Sequence, residues 1–237
     1  MSKHLKRSNA ARTLRLHRKE KKWTIRPSPG PHPIENSVSL GLIIRDYLSL
    51  ADTKKEVKRI LSNGEIFVDG TQRKDYRYPC GLMDVINIPK IKKHYRLLYD
   101  RKGKFRLMAI SEMDAEWKLS RIENKSLIKD GKIQLNLHDG HNKIVEQDKY
   151  KTGDVLKINF KENKIIDVFS FEKGKVALII GGKHIGEIAD IKDVEIVRSS
   201  HSNLVRLEGK NEFSTIKKHV FTVGKEKPVI EVPEVKM

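Results

Sequence analysis

The chain has 237 residues and carries 49 Lys and Arg against 31 Asp and Glu, a formal net charge of +18. A hydrophobic share of 38% is too high for wholesale disorder, and no apolar run approaches the roughly 18 residues of a membrane span. The single cysteine, Cys80, excludes a disulfide framework and a cysteine-rich zinc site, and fits a reducing, cytosolic setting.

The charge is uneven. Residues 1–110 hold 26 basic and 10 acidic side chains, a net of +16, whereas residues 111–237 hold 23 and 21, a net of +2. A surplus confined to one half has a direction, and the partner it implies is a polyanion, nucleic acid before an anionic membrane surface.

The N-terminal arm is nearly single-signed. Lys3, Lys6, Arg7, Arg12, Arg15, Arg18, Lys19, Lys21, Lys22 and Arg26 stand against one acid, Glu20. Its few apolar residues cannot offset the entropy of ordering it, so it is expected to be mobile alone and to order against phosphates. Trp23 is placed either to stack on a base or to pack under the next domain. No secretory signal fits this start, because the basic stretch lacks an apolar core. A membrane role is disfavoured, because no amphipathic stripe accompanies the charges. Arg26-Pro27-Ser28-Pro29-Gly30-Pro31-His32-Pro33 follows, and its prolines forbid helix and strand; it reads as a stiff, extended connector.

After Ser37 the pattern turns helical. Leu40, Ile43, Ile44, Tyr47 and Leu48 fall on one face. A second helix starts at Asp52-Thr53, where Thr53 and Glu56 have capping-box spacing. Lys54, Lys55, Lys58 and Arg59 fill one face of it, and Val57, Ile60 and Leu61 another. Asn63-Gly64 ends it. Strands are expected over 65–68 and 84–88, with a hairpin turn at Asp69-Gly70. Arg45, Arg73, Lys74 and Arg77 flank the same unit. The basic helix, the run from Gly64 to Gly70 and the strand from Asp84 to Ile88 together resemble the small RNA-binding module named after bacterial ribosomal protein S-four, over residues 42–90.

From residue 95 short strands take over. Tyr95–Asp100 precedes a basic turn, Arg101-Lys102-Gly103-Lys104. A short helix is expected at Ser111–Ala115, and strands over 133–137, 155–160 and 164–169, with a turn at Asp139-Gly140. The run from Lys173 to Ile188, with Gly181-Gly182 between two strands, resembles the KOW motif of ribosomal and transcription-elongation proteins. Lys175, Lys183 and His184 are its candidates for contact with a phosphate or another protein, the last two at an exposed tip. A P-loop is rejected here: Ala177 stands at its first glycine position and His184 at its hydroxyl position.

No catalytic constellation is present: no nucleophile elbow, no metalloprotease helix, no dinucleotide fingerprint. No metal site and no cofactor are expected. His138 and His141 around Asp139 read as a tight turn in a solvated loop, and Cys80 as an incidental or structural thiol in a loop after Pro79. The tail from Lys225, with Pro228 and Pro233, is either extended and edge-pairing or disordered.

The order of modules resembles the archaeal and eukaryotic (e-type) small-subunit ribosomal protein S-four family, in its shorter archaeal form. It implies an α+β, multidomain chain: a basic extended arm and Pro-rich connector (1–37), an S-four-type domain (38–93), a central β-rich domain (94–170) and a KOW, SH3-like barrel with tail (171–237). It also implies a structural constituent of the 30S subunit. The partners would be small-subunit ribosomal RNA and neighbouring 30S proteins, with no membrane, no small-molecule substrate and no homo-oligomer. The RNA contacts would come from the arm residues above with Trp23, then Arg45, Lys54, Lys55, Lys58, Arg59, Arg73 and Arg77, and more sparsely Lys175, Lys183 and His184. A KOW-containing transcription or translation factor and an RNA-modification accessory protein are the alternatives.

Overall fold

The structure, a computed structural model, describes residues 4–128, 131–199, 202–209 and 211–232. They form two compact units. The first is built from segments within 1–98, 104–118 and 159–162; the second from 99–103, 119–158 and 163–237. No helix among the described residues is long and apolar enough to cross a membrane.

The first unit begins with two short paired strands, β1 (Leu5–Lys6) and β2 (Trp23–Thr24). Next come β3 (Val38–Ser39) and helix α1 (Leu40–Leu42), which runs into a wider turn over Ile43–Tyr47. There the Leu48 N–H reaches back to the Ile43 carbonyl, 2.9 Å away, a π-type bond that adds one residue to the turn. The apolar stripe therefore makes one helical element, as its spacing predicts, but not a regular α-helix. Gly41 allows a close approach: a Cβ there would sit 2.9 Å from the Tyr76 carbonyl oxygen, to which the Gly41 N–H donates.

Helix α2 (Lys54–Ser62) forms where its capping box predicts. The Glu56 N–H donates to Thr53 Oγ1 at 3.3 Å, and Glu56 Oε2 accepts from the Asp52 N–H at 2.9 Å. Those bonds, from the Asp52 N–H first and then from Thr53, hold the Glu56 carboxyl below the usual carboxylate range. Val57 and Leu61, four apart, are fully buried.

Strands β4 (Phe67–Val68), β5 (Thr71–Gln72), β6 (Pro79–Cys80), β7 (Val85–Ile88), β8 (Lys93–Tyr99) and β9 (Phe105–Ile110) complete the sheets of this unit. Five are ordered β5-β4-β7-β8-β9, while β6 pairs with β3. The β4–β5 turn carries Asp69 at φ 51° and Gly70 at φ 72°, the two positive angles of a type I′ hairpin. Cys80 is therefore on a strand rather than in a loop; it is buried, and burial pushes its thiol well up. The expected short helix over 111–115 is a single 3₁₀ turn at Asp114–Glu116.

The second unit holds two five-stranded antiparallel sheets. One is ordered β12-β11-β10-β13-β14, from β10 (Trp117–Leu127), β11 (Ile133–Leu137), β12 (Asn142–Val145), β13 (Val155–Asn159) and β14 (Ile165–Phe169). Its core is Ile122, Leu135, Leu137, Leu156 and Ile158. The other is ordered β18-β17-β16-β15-β19, from β15 (Val176–Ile179), β16 (Ile188–Glu195), β17 (Leu204–Glu208), β18 (Glu212–Ile216) and β19 (Val220–Gly224). Register shifts at Val176/Ala177 and Ile191/Asp193 bend that sheet. Asp139 is not in a solvated loop: it is 1% exposed and accepts from Ser120 Oγ at 3.1 Å. In the tail, the Val229 N–H bonds to the Val223 carbonyl at 2.9 Å and Ile230 is buried, whereas Pro233 lies outside the described residues.

Candidate nucleic-acid interface

The structure divides the basic residues of the first unit into two kinds. Some spend their charge inside the fold. Arg7 is 4% exposed, with Nη1 2.7 Å from the His17 carbonyl and Nε 3.3 Å from that of Trp23. Arg18 donates through Nη1 to the carbonyls of Arg7 (2.9 Å) and Ala10 (2.9 Å), and through Nη2 to that of Ala11 (3.0 Å). The expected mobile arm is thus corrected over residues 4–26. Two arginines gather carbonyls that a small apolar core could not satisfy, and a charged donor makes each bond stronger than a neutral one. Arg77 Nε likewise donates to the Arg26 carbonyl at 3.0 Å. Arg45 is forked onto Asp46, Nε to Oδ1 at 2.5 Å and Nη2 to Oδ2 at 3.0 Å. Those hydrogen bonds raise the Arg45 pKa further above its ordinary value.

The others face outward. Lys6, Arg12, Arg15, Lys19, Lys21 and Lys22 are exposed, as are Lys54, Lys55, Lys58 and Arg59. Among the described residues, none of these ten has a carboxylate partner within 4.0 Å. On α2 the ammonium groups of Lys54 and Lys58 stand 4.7 and 5.3 Å from the Tyr76 ring centroid. Arg73 covers Tyr78 at 4.5 Å. Trp23 does not pack under a domain: it is 49% exposed, with Lys22 Nζ 5.2 Å from its ring. Lys3 lies outside the described residues.

A cleft of ≈ 540 Å³ runs between the arm, the π turn and β9. Arg7, Arg15, His17, Lys21, Arg45 and Arg106 line it against two acids, Glu20 and Asp46. Asp46 is taken up by Arg45, so the cleft presents surplus positive charge. Sequence reasoning missed Arg106 and Tyr76. Arg106 alternates outward on a strand, and Tyr76 carries no signal until α2 is placed over it.

A buried ionic cluster holds this surface in shape. Lys118 Nζ donates to Asp69 Oδ2 at 2.7 Å and to Asp84 Oδ1 at 3.4 Å. The other Asp84 oxygen meets His32 Nε2 and the Gly81 N–H, each at 2.9 Å. The proline connector is thereby tied to the sheet through His32.

In the second unit, Lys183 is exposed and Lys175 half-buried. His184 does not project from the tip. Its ring stacks on Phe213 at 4.0 Å and 16°, and Nδ1 lies 3.0 Å from Glu187 Oε2. Gly182, at φ 82°, makes the turn. Several other cations here are paired with acids, such as Lys125 with Asp148 at 2.5 Å and Lys173 with Asp193 at 2.6 Å.

An α+β chain whose outward cations lack carboxylate partners among the described residues, beside exposed or cation-covered aromatics, has the surface expected of the class of polyanion-binding proteins. Residues 91–165 match the model of "Ribosomal family S4e" and residues 1–35 that of the "RS4NT (NUC023) domain". The small ribosomal subunit protein eS4 of Methanosphaera stadtmanae is 48% identical over 97% of this chain and 95% of the relative. That of Archaeoglobus fulgidus is 47% identical over 97% of each. The crystal structure of the 30S ribosomal protein S4e from Thermoplasma acidophilum matches with a TM-score of 0.71 and 36% identity, over 80% of this chain and 96% of that one. The chain belongs to the eS4 family of small ribosomal subunit proteins.

Proposed function

We propose that the chain acts by clamping small-subunit ribosomal RNA with its first unit. As a family member it is a structural constituent of the small subunit, in the cytoplasmic ribosome, and not an enzyme. The observation that carries the clamp is the α2 face: Lys54, Lys55, Lys58 and Arg59 are exposed and lack carboxylate partners among the described residues, with Tyr76 beneath two of them. Cations so placed neutralise phosphates and release counterions, which gives affinity with little sequence reading. Fit to RNA shape supplies selectivity, with Trp23 available to stack on an unpaired base.

The four-part layout belongs to this reading. Residues 1–37 form the arm and connector, 38–93 an S-four-type RNA-binding domain, 94–170 a central β domain and 171–237 a KOW-type barrel. Arg12, Arg15, Lys19 and Lys21 reach RNA directly, while Arg7, Arg18 and Arg77 shape the surface from within. Arg45, Arg73 and Arg26 border the RNA, and the protein functions as one copy beside neighbouring 30S proteins. Lys183 and Lys175 make the sparser contacts of the second half.

The test is binding to small-subunit ribosomal RNA and to an unrelated structured RNA across a salt series. The wild-type chain should keep its preference for ribosomal RNA as salt rises. K54E/K58E should weaken binding at least tenfold and flatten the salt dependence. Equal loss of affinity for both RNAs with rising salt would remove shape-selective clamping.

A further inference from the structure

Residues 111–237 carry a net charge of only +2, yet the cations of the second unit are not evenly neutralised. Lys151 pairs with Glu172 at 4.0 Å, Arg206 with Glu195 at 3.6 Å and Lys225 with Asp167 at 3.2 Å. Lys192 serves both Glu208 and Glu212. Other cations have no such partner among the described residues, and of these Lys217 and Lys218 alone line a cleft together. They lie side by side on the 3₁₀ turn Lys217–His219 before β19, and among the described residues neither has a carboxylate partner.

Both lysines line a cleft of ≈ 280 Å³. Lys217 Nζ stands 5.0 Å from the Phe171 ring centroid and 3.2 Å from the Thr152 carbonyl, so its stem lies along the wall. Asn203, whose carbonyl accepts the Lys217 N–H at 2.8 Å, closes another side. The one carboxylate in the lining, Glu123, is held by Arg121, Nη2 to Oε1 at 2.5 Å. The Arg121 Nη1 is in turn fixed by the Lys218 and Val220 carbonyls, each at 2.9 Å. The lining acid is thus neutralised by a residue locked in the fold, and two ammonium groups remain, that of Lys217 beside the Phe171 ring.

We propose that this cleft is a second ribosomal RNA site, taking two backbone phosphates on Lys217 and Lys218. The average charge of the second half hides it. Phosphate contacts from a separate unit would fix the orientation of the chain on folded RNA, because two anchors define a direction where one does not. The proposal rests on the RNA-clamping reading given above, but its residues and its unit are different.

The experiment uses the full chain, a small-subunit ribosomal RNA transcript and a salt series. Four proteins are compared with wild type: K217A/K218A, K218A, K192A and K54A/K58A. Each neutralised phosphate contributes about 0.7 to 0.9 to the slope of log affinity against log salt. K217A/K218A should lower that slope by about 1.5 and K218A by about 0.8, while K192A, which removes an internally paired cation, should leave it unchanged. K218A guards against misfolding of the double variant, because among the described residues no side-chain hydrogen bond or ion pair holds Lys218 in the fold. A wild-type slope in K218A and K217A/K218A, alongside a lowered slope in K54A/K58A, would overturn this site and leave the clamp standing. A wild-type slope accompanied by loss of a neighbouring protein from reconstituted subunits would assign the cleft to a protein and overturn the RNA proposal. No binding by the wild-type chain would overturn both readings.

Discussion

His32 Nε2 lies 2.9 Å from Asp84 Oδ2, and the two residues, 52 positions apart, are both buried. Removing one partner of such a pair leaves the other charge buried and uncompensated. Asp84→Asn should cost about 3 kcal/mol, because Lys118 and His32 both lose their shared counter-charge. Urea unfolding checks this; a midpoint within error of wild type would contradict it.

The same cluster sets a pH dependence. Desolvation pushes the Asp84 carboxyl up, but the charges of His32 and Lys118 and the bonds from His32 and the Gly81 N–H outweigh it, and hold it well below the usual range. Desolvation and then the charge of Asp84 push Asp69 up to about 6, against the pull of Lys118. The signs oppose each other. A raised carboxyl makes the folded state bind more protons, so Asp69 adds stability as pH falls from above 6 towards 3.8. A lowered carboxyl does the reverse, so the contribution of Asp84 is lost as pH falls below 3.8. Stability from this cluster should therefore peak near pH 4 and decline as pH rises through 6, and Asp69→Asn should flatten that high-pH limb. Unfolding free energies from pH 4 to 7 check it; identical slopes in wild type and variant would reject the assignment.

Gly41→Ala weighs two effects. Alanine in a helix is favoured over glycine by about 1 kcal/mol. Here the new Cβ would meet the Tyr76 carbonyl oxygen at 2.9 Å, and that oxygen already accepts the Gly41 N–H. The neighbour is backbone and cannot swing away, so overpacking of about 2 kcal/mol should win. A thermal midpoint raised by the substitution would show that the turn yields.

Arg7 and Arg12 should separate structure from binding. Arg7→Ala removes bonds to the His17 and Trp23 carbonyls and should expose the arm to protease. Arg12→Ala should leave it protected and lower only RNA affinity. Equal protease sensitivity of the two variants would erase the distinction.

Thr222 Oγ1 is buried in β19 and has no hydrogen-bond partner among the described residues. Thr222→Val keeps the shape and removes the orphan hydroxyl, so it should stabilise by about 1 kcal/mol. A lowered denaturation midpoint would mean that the hydroxyl is satisfied in solution.

Local chemistry was legible in the sequence and long-range electrostatics was not. Thr53 with Glu56, and Asp69 with Gly70, each encode their structure within four residues, so α2 and the β4–β5 hairpin could be read directly. The outward lysines of α2 followed from helical period alone. Arg7 looked like its exposed neighbours, because its partners are carbonyls brought in by the chain's return at Trp23. His32, Asp69, Asp84 and Lys118 are scattered over 87 positions, and only the fold assembles them into one cluster. His184 looked like a turn tip because Phe213, which its ring covers, lies 29 residues further on. Lys217 and Lys218 were masked by averaging over a nearly neutral half.

The arm is synthesised before the residues that hold it. The Arg15 N–H bonds to the Tyr47 hydroxyl at 3.0 Å, and the Thr13 carbonyl accepts from the Phe105 N–H at 2.8 Å. Until residue 105 has left the ribosome that makes it, the growing chain exposes its most basic stretch without these ties. During that interval the arm is an open polycation in a cell full of RNA. Its order of emergence therefore makes the nascent chain most prone to indiscriminate RNA contact before its own fold can restrain it.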